Sequence, residues 1–218
     1  MIIDLLRTDP TLFFMLMPIL IFSLCVHEFA HARVALAFND QTAYKAGRVT
    51  LNPLVHLDFF GTILLLTVGI GWAKPVPVIA SNLKPRKIGN ICVSLAGVTS
   101  NFLLVLICAL LLKLALMFHS IFSYNQLVLL VSALRLAIAI NIMLAIFNLL
   151  PIYPLDGHHV ARELLPSRKQ AAFMKFQRET GIWILIGLLY LPDLLGTPDP
   201  IFITRNWLIG IVDTVFNI

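Results

Sequence analysis

Charge is the scarcest property of this sequence. Of 218 residues only 12% are Asp, Glu, Lys or Arg, whereas 59% are hydrophobic and the mean hydropathy is +0.92. Soluble domains carry about 25% charged residues, so this balance excludes an ordinary water-soluble fold and points to a polytopic membrane protein. Cysteine is also rare. Cys25, Cys92 and Cys108 all lie in apolar segments without a CxxC spacing, which excludes a disulfide framework or a thiolate metal site and leaves them as buried small hydrophobes. The net charge of +5 does not form a basic stripe interleaved with aromatics, so nucleic acid is not an expected partner. The basic residues sit in short loops beside apolar runs, where they set orientation and meet anionic lipid. Internal repeats, low-complexity tracts and room for a soluble domain are all missing. The leading "MIIDLLRTDP" lacks the basic start of a signal peptide, and cleavage near "FAHARVALA" would destroy a histidine cluster, so the first apolar run is expected to be retained.

What remains is a series of apolar runs at 12–38, 59–70, 91–118, 127–150, 181–195 and 201–218. About 20 residues are needed to cross about 30 Å of hydrocarbon as a helix. The run at 59–70 is too short, and it is bracketed by the proline- and glycine-rich "LNPLVHLDFFG" and "GWAKPVPVIASNLKP". It is expected to be re-entrant or interfacial. Charge placement supports this: Arg33, Lys45, Arg48, Lys74, Lys84, Arg86 and Lys87 form one basic group, Arg162, Arg168, Lys169, Lys175 and Arg178 a second, and "HSIFSYNQ" has neither Lys nor Arg. Both groups share a face, cytoplasmic by the positive-inside rule, only if the short segment dips in and returns. The N-terminus is then external, with Arg7 as an exception. The expected fold is an all-α helical transmembrane bundle with a short re-entrant or β-hairpin segment on the cytoplasmic side. One integral domain spans 1–218, with a core at about 12–165 and accessory C-terminal spans at about 178–218.

Against this apolar background stands "HEFAH" in the first run. His27 and His31 are four residues apart, so on a helix they differ by only about 40° and can hold one metal together. Glu28 projects beside them. In an HExxH arrangement two neutral imidazoles bind Zn²⁺ and the glutamate takes a proton from the water it activates. An idle Glu at mid-membrane would cost about 3 kcal/mol or more, which argues against coincidence. A catalytic zinc usually takes a third protein ligand, and "FNLLPIYPLDGHHV" offers Asp156, His158 and His159 after the fourth run. Asp156 lies at the predicted cytoplasmic boundary, although an N-cap role for a helix beginning at Gly157 is its competing use.

Taken together, "HEFAH", "LNPLVHLDFFGT", "GWAKPVPV", "SLAGVTSN" and "NLLPIYPLDG" resemble the site-2 protease family of intramembrane zinc metalloproteases in its short prokaryotic form, over about 12–165. The resemblance implies that His27, His31 and Asp156 bind zinc, that Glu28 is the catalytic glutamate, and that Asn148 holds substrate or steadies the oxyanion. It also implies membrane-spanning protein substrates cleaved near the cytoplasmic face of a prokaryotic cell membrane. Gly97 and Asn101 match family positions; on physics alone they read as close helix packing and an interhelical hydrogen bond. Val98, where proline is frequent, and "LLLTV", where a proline is expected, depart from the pattern without removing a catalytic group. His158 is not expected to be a ligand. His56 and Asp58 fit a polar turn as well as a site, and Arg135 is expected to snorkel outward. "KPVPVIAS" could offer a strand edge to an unwound substrate. The alternative is a zinc-stabilised membrane binding protein that cuts nothing. Nothing in the sequence sets an oligomeric state.

Overall fold

The computed structural model describes residues 2–69 and 71–218. Ile70, the last residue of the short run expected at 59–70, lies outside the described residues. Apart from single turns, the helices are α1 (Pro10–Ala37), α2 (Phe59–Val68), α3 (Arg86–Met117), α4 (Tyr124–Leu149), α5 (Gly157–Leu164), α6 (Ser167–Leu195) and α7 (Pro200–Phe216). Three of them, α1, α3 and α4, are long and apolar enough to cross a membrane, and α6 with α7 forms a pair bent by 92° that passes the same test together. Among the described residues there is no strand, only an isolated antiparallel bridge between Leu57 and Ala73.

Local chemistry sets the helix ends. Asp9 caps α1 by accepting from Leu12 N–H, followed by Pro10 at the first helical position, where a missing N–H costs nothing. Ser123 and Gln126 exchange hydrogen bonds in a capping box at the start of α4. Asp58 caps α2 by accepting from Gly61 N–H, so the polar-turn reading of Asp58 holds, and Gly69 ends the helix at φ 86°. His56 is buried and bonds Thr50 O through Nε2.

Helix α3 is the centre of the bundle, packed on both α1 and α4, with α7 against α4 and α5 against α3. Val105, Ala109 and Leu112 of α3 meet Ile138 and Ile142 of α4 in an apolar cluster. The other half of the same α3 face is small and polar: Asn90, Ser94, Gly97 and Asn101 are buried. Three- and four-residue spacings keep all these positions on one stripe. Apolar residues elsewhere, such as Leu103, Leu106 and Leu110, point outward, as lipid-facing positions must.

Arg135, expected to snorkel, also has a partner: its Nη1 lies 3.4 Å from Asp213 Oδ1, tying α4 to α7. One expectation is corrected here. Of the three free cysteines only Cys25 is buried, and it donates to Leu51 O at 3.0 Å, whereas Cys92 and Cys108 are half-buried.

Residues 71–85 form a strap over the end of α1. Beyond Gly69 the chain doubles back, since a Cβ on Gly61 would strike Trp72 O. Lys74 N–H then donates to His56 O, Ile79 N–H to Asp40 Oδ2 and Lys84 N–H to Phe38 O. Asp40 also accepts from Thr42 N–H, Thr42 Oγ1 and Asn82 Nδ2. Burial alone would push the Asp40 carboxyl up, but these hydrogen bonds outweigh it and hold it below the usual carboxylate range. Its folded pKa is therefore depressed, so its stabilising contribution is complete above the unfolded value of about 3.9 and disappears as pH falls through the folded value. The protection factor of the Ile79 amide, its exchange relative to the intrinsic rate at each pH, is expected to be high at pH 7 and to fall as pH drops below about 4. Asp40→Asn should be weakly protected at both, and equal protection in the variant would remove Asp40 as the anchor.

Candidate metal centre

The fifth and sixth turns of α1 carry "HEFAH", and the bundle closes around it. His27 and His31 are buried, their rings edge to face with centroids 4.7 Å apart. Their Nε2 atoms lie 3.0 Å from one another. Asp156 Oδ2 lies 3.2 Å from His27 Nε2 and 3.1 Å from His31 Nε2. Sequence positions 125 or more residues apart thus converge on one point. Among the described residues this is the group of three able to hold a metal.

The hydrogen bonds behind the rings show what the point wants. His31 Nδ1 is 2.7 Å from Val93 O, a backbone carbonyl that can only accept, so Nδ1 carries the proton. His27 Nδ1 faces Asn101 Oδ1 at 2.7 Å. In these tautomers both Nε2 atoms turn lone pairs toward each other and toward a carboxylate oxygen that has no hydrogen-bond partner although it is buried. Only positive charge placed among them makes that arrangement favourable. Bonds of 2.0–2.1 Å to a tetrahedral zinc put ligand atoms about 3.3 Å apart, close to the observed triangle. The residues present fit the ion.

Each of these three side chains is held by its own packing. Gly97 of α3 lies against both rings, and a Cβ there would be 2.5 Å from each Nε2. Asp156 sits in the turn between α4 and α5. It occupies the position before Gly157 but makes no capping hydrogen bond, its carboxylate being turned to the histidines instead. The N-cap use weighed for it is therefore not the one adopted. A Cβ on Gly157 would strike the carbonyls of Leu149 and Leu150, so glycine lets the turn close tightly. From α6, Gln177 holds the same turn with both ends of its amide, Nε2 donating to Pro151 O at 2.9 Å and Oε1 accepting from Tyr153 N–H at 2.8 Å. Glu163 of α5 accepts from Asn90 of α3 at 3.0 Å and pairs with Arg162.

Burial opposes ionisation of Asp156; positive charge on the imidazoles, His31 first, together with hydrogen bonds from Nε2 when it carries a proton, offsets that and holds the carboxyl well below its usual range, and a cation at the same point acts in the same direction. His158 is pushed down by burial, and His159 down to about 4 by burial and then by His158 and Arg162, so both are neutral at pH 7. Neither joins the ligand group. His158 Nδ1 bonds Leu155 O and its ring stacks on His159 at 3.8 Å. Of the three candidates in that stretch, the structure brings Asp156 to the pair.

Glu28 is half-buried beside the pair, and its Oε2 accepts from Val76 N–H at 3.1 Å. Pro75 and Pro77 flank Val76, so this is the one N–H that the stretch from 75 to 77 possesses, and the glutamate takes it. No strand forms at "KPVPVIAS", and its pairing capacity is correspondingly reduced. Asn148 donates through Nδ2 to Leu144 O in its own helix at 3.0 Å, and no hydrogen bond joins it to His27, His31 or Asp156. Sequence reasoning missed Gln177, Val76 and Asn141. A polar residue four positions before Gly181 in α6, and an asparagine inside an apolar run, were the signals available.

The chain matches the model of Peptidase family M50 over residues 15–191. It is similar to "Putative zinc metalloprotease YwhC" of Bacillus subtilis, 40% identical over 187 residues that cover 82% of this chain and 83% of that protein. It is 30% identical to "Putative zinc metalloprotease Rip2" of Mycolicibacterium smegmatis, covering 79% of this chain and 65% of the relative, and 28% identical to the Mycobacterium tuberculosis protein of the same name, covering 90% and 70%. No solved structure matches. A family match over most of the chain, joined to a relative at this identity, places the chain in Peptidase family M50 as a zinc metalloprotease built on membrane-spanning helices.

Proposed function

We propose that this chain is an intramembrane endopeptidase that hydrolyses peptide bonds in the membrane-spanning segments of single-span proteins, near the cytoplasmic face of a prokaryotic cell membrane. The observation that carries this is the convergence of two imidazole Nε2 atoms and one orphaned carboxylate oxygen within 3.0–3.2 Å of one another. His27, His31 and Asp156 are the ligands. Zinc held there supplies Lewis acidity, polarising a peptide carbonyl and making water acidic enough to lose a proton near neutral pH. Glu28 receives that proton at its carboxylate and delivers it to the departing amine. Val76 N–H keeps the carboxylate oriented meanwhile. Asn148, at the end of α4, holds the substrate backbone once its amide leaves Leu144 O.

The depth of the site supports the bilayer setting. His27 lies about 25 Å from the start of α1 and about 15 Å from its end, at 1.5 Å per residue. The basic loops adjoin that same end, which makes it cytoplasmic. Lys84 N–H bonds Phe38 O, so the chain leaves α1 and enters α3 on one side, and Trp72 folds back beside Gly61. These contacts favour a re-entrant α2. The unit is integral over 1–218, its core at about 12–165 and its outer spans at about 178–218. A substrate helix buries its carbonyls in its own hydrogen bonds, so it must unwind locally before attack.

The test is reconstitution in vesicles with tagged single-span substrates carrying helix-weak spans. Cleavage within the span is expected, to be lost on chelation and restored by zinc. A chain that binds zinc stoichiometrically and cuts none of them is the non-proteolytic binding protein instead.

A further inference from the structure

We propose that Asn141 of α4 is a positioning residue that fixes the tautomer of His27 from two residues away, through Asn101. The inference rests on the metal-centre reading above. Its starting point is a backbone carbonyl. Asn141 Nδ2 lies 2.9 Å from Ala137 O and 2.9 Å from Ser23 Oγ. Ala137 O can only accept, so the nitrogen of the amide must be on that side. Asn141 Oδ1 then faces Asn101, where it accepts from Nδ2 at 2.8 Å. That settles Asn101 in turn: its Oδ1 points at His27 Nδ1, which must donate. Nε2 is left with a lone pair directed at His31 and Asp156.

The four side chains come from three helices, Ser23 and His27 on α1, Asn101 on α3 and Asn141 on α4, and all are at most 4% exposed. At that burial bulk solvent does not compete for their hydrogen bonds. The two histidines therefore use different devices. Val93 O orients His31 directly, whereas His27 depends on a side-chain amide that could turn over if nothing opposed it. A turned Asn101 would present Nδ2 to His27 Nδ1, favour the tautomer with a proton on Nε2, and put that proton where the metal belongs. Asn141 opposes the turn because its own orientation is pinned by Ala137. Partners behind metal-bound histidines commonly change metal affinity by about 10–100-fold when removed.

A purely structural role, helix-to-helix glue, makes a different prediction, so the test reads the tautomer itself. The full-length protein is labelled with ¹⁵N-histidine and studied metal-free in detergent, at a pH high enough to leave both rings neutral. In the wild type, Nδ1 of His27 is expected to be protonated and Nε2 bare. Asn141→Leu should populate the Nε2–H form and weaken Co²⁺ binding, followed by its visible absorption, by about 10-fold, the lower end of the range for a direct partner. Ser23→Ala leaves the Ala137 carbonyl in place and should change neither. A folded Asn141→Leu with native tautomer and native Co²⁺ affinity overturns the proposal. If that variant does not fold, Asn141→Ala is read in the same way, and a proton found on His27 Nε2 in the wild type overturns the proposal with either variant. A wild type that takes up neither zinc nor cobalt sinks the metal-centre reading, while the relay is still judged by the tautomer.

Discussion

Replacing Glu28 with glutamine is expected to leave zinc content unchanged and to slow peptide hydrolysis by about 10²- to 10⁴-fold, the usual worth of a positioned proton-transfer group. The expectation separates the role this side chain has in the structure from the one proposed for it. One is to accept the N–H of Val76, and a glutamine oxygen can do that as well as a carboxylate. The other is to take up a proton, which an amide cannot do at any working pH. Because Glu28 is outside the group formed by His27, His31 and Asp156, its replacement removes no ligand atom. Zinc analysis and span-cleavage rates on the same purified samples are the measurements. Glu28→Ala should behave worse than Glu28→Gln, since the strap loses its tie as well, and faster proteolysis around 75–78 would report that loss. A Glu28→Gln protein with native turnover would take the proton-transfer role away from this residue.

The parts of the site that depend on local spacing were legible in the sequence. Two histidines four apart in an apolar run need only a helix to share a metal, and α1 supplies it. Asp156 required more, because its approach depends on how α4 returns to α1, and neither hydropathy nor spacing encodes that meeting. Resemblance of "NLLPIYPLDG" to a family pattern filled the gap. The fold followed the same division. Long apolar runs became α1, α3 and α4, while α6 was half hidden, because Arg168, Lys169, Lys175, Arg178 and Glu179 interrupt the apolar signal although the helix begins at Ser167. That concealed half carries Gln177, which grips the turn holding Asp156. Pairings between distant polar residues were equally invisible. Arg135 with Asp213, Asn101 with Asn141 and Glu28 with the backbone of Val76 each join segments separated by 40 or more positions.

Placing a single methyl group at position 97 is expected to empty the metal centre. The β carbon of Gly97→Ala has no torsion through which to escape: the backbone of α3 fixes it, and it would point between the rings at 2.5 Å from each Nε2. Ordinary contact needs roughly a further ångström, so either α3 moves away from α1 or the imidazoles rotate off the shared point. Movement of α3 would disturb the hydrogen bonds behind both rings, which Val93 O accepts from His31 Nδ1 and Asn101 Oδ1 accepts from His27 Nδ1. Rotation would instead take both lone pairs away from Asp156. Either route costs zinc affinity more than loss of one outer partner does, so a drop beyond about 100-fold is expected, with span cleavage falling to background. Gly187→Ala in α6 is the matched control, since nothing lies within 4 Å of its added carbon and neither zinc content nor cleavage should change. The measurement is zinc retained after equilibration with competing chelator, alongside helicity to show that the bundle persists. A Gly97→Ala protein that keeps its zinc would mean that the rings and the carboxylate do not enclose the ion where α3 meets α1, and the ligand assignment would fall with it.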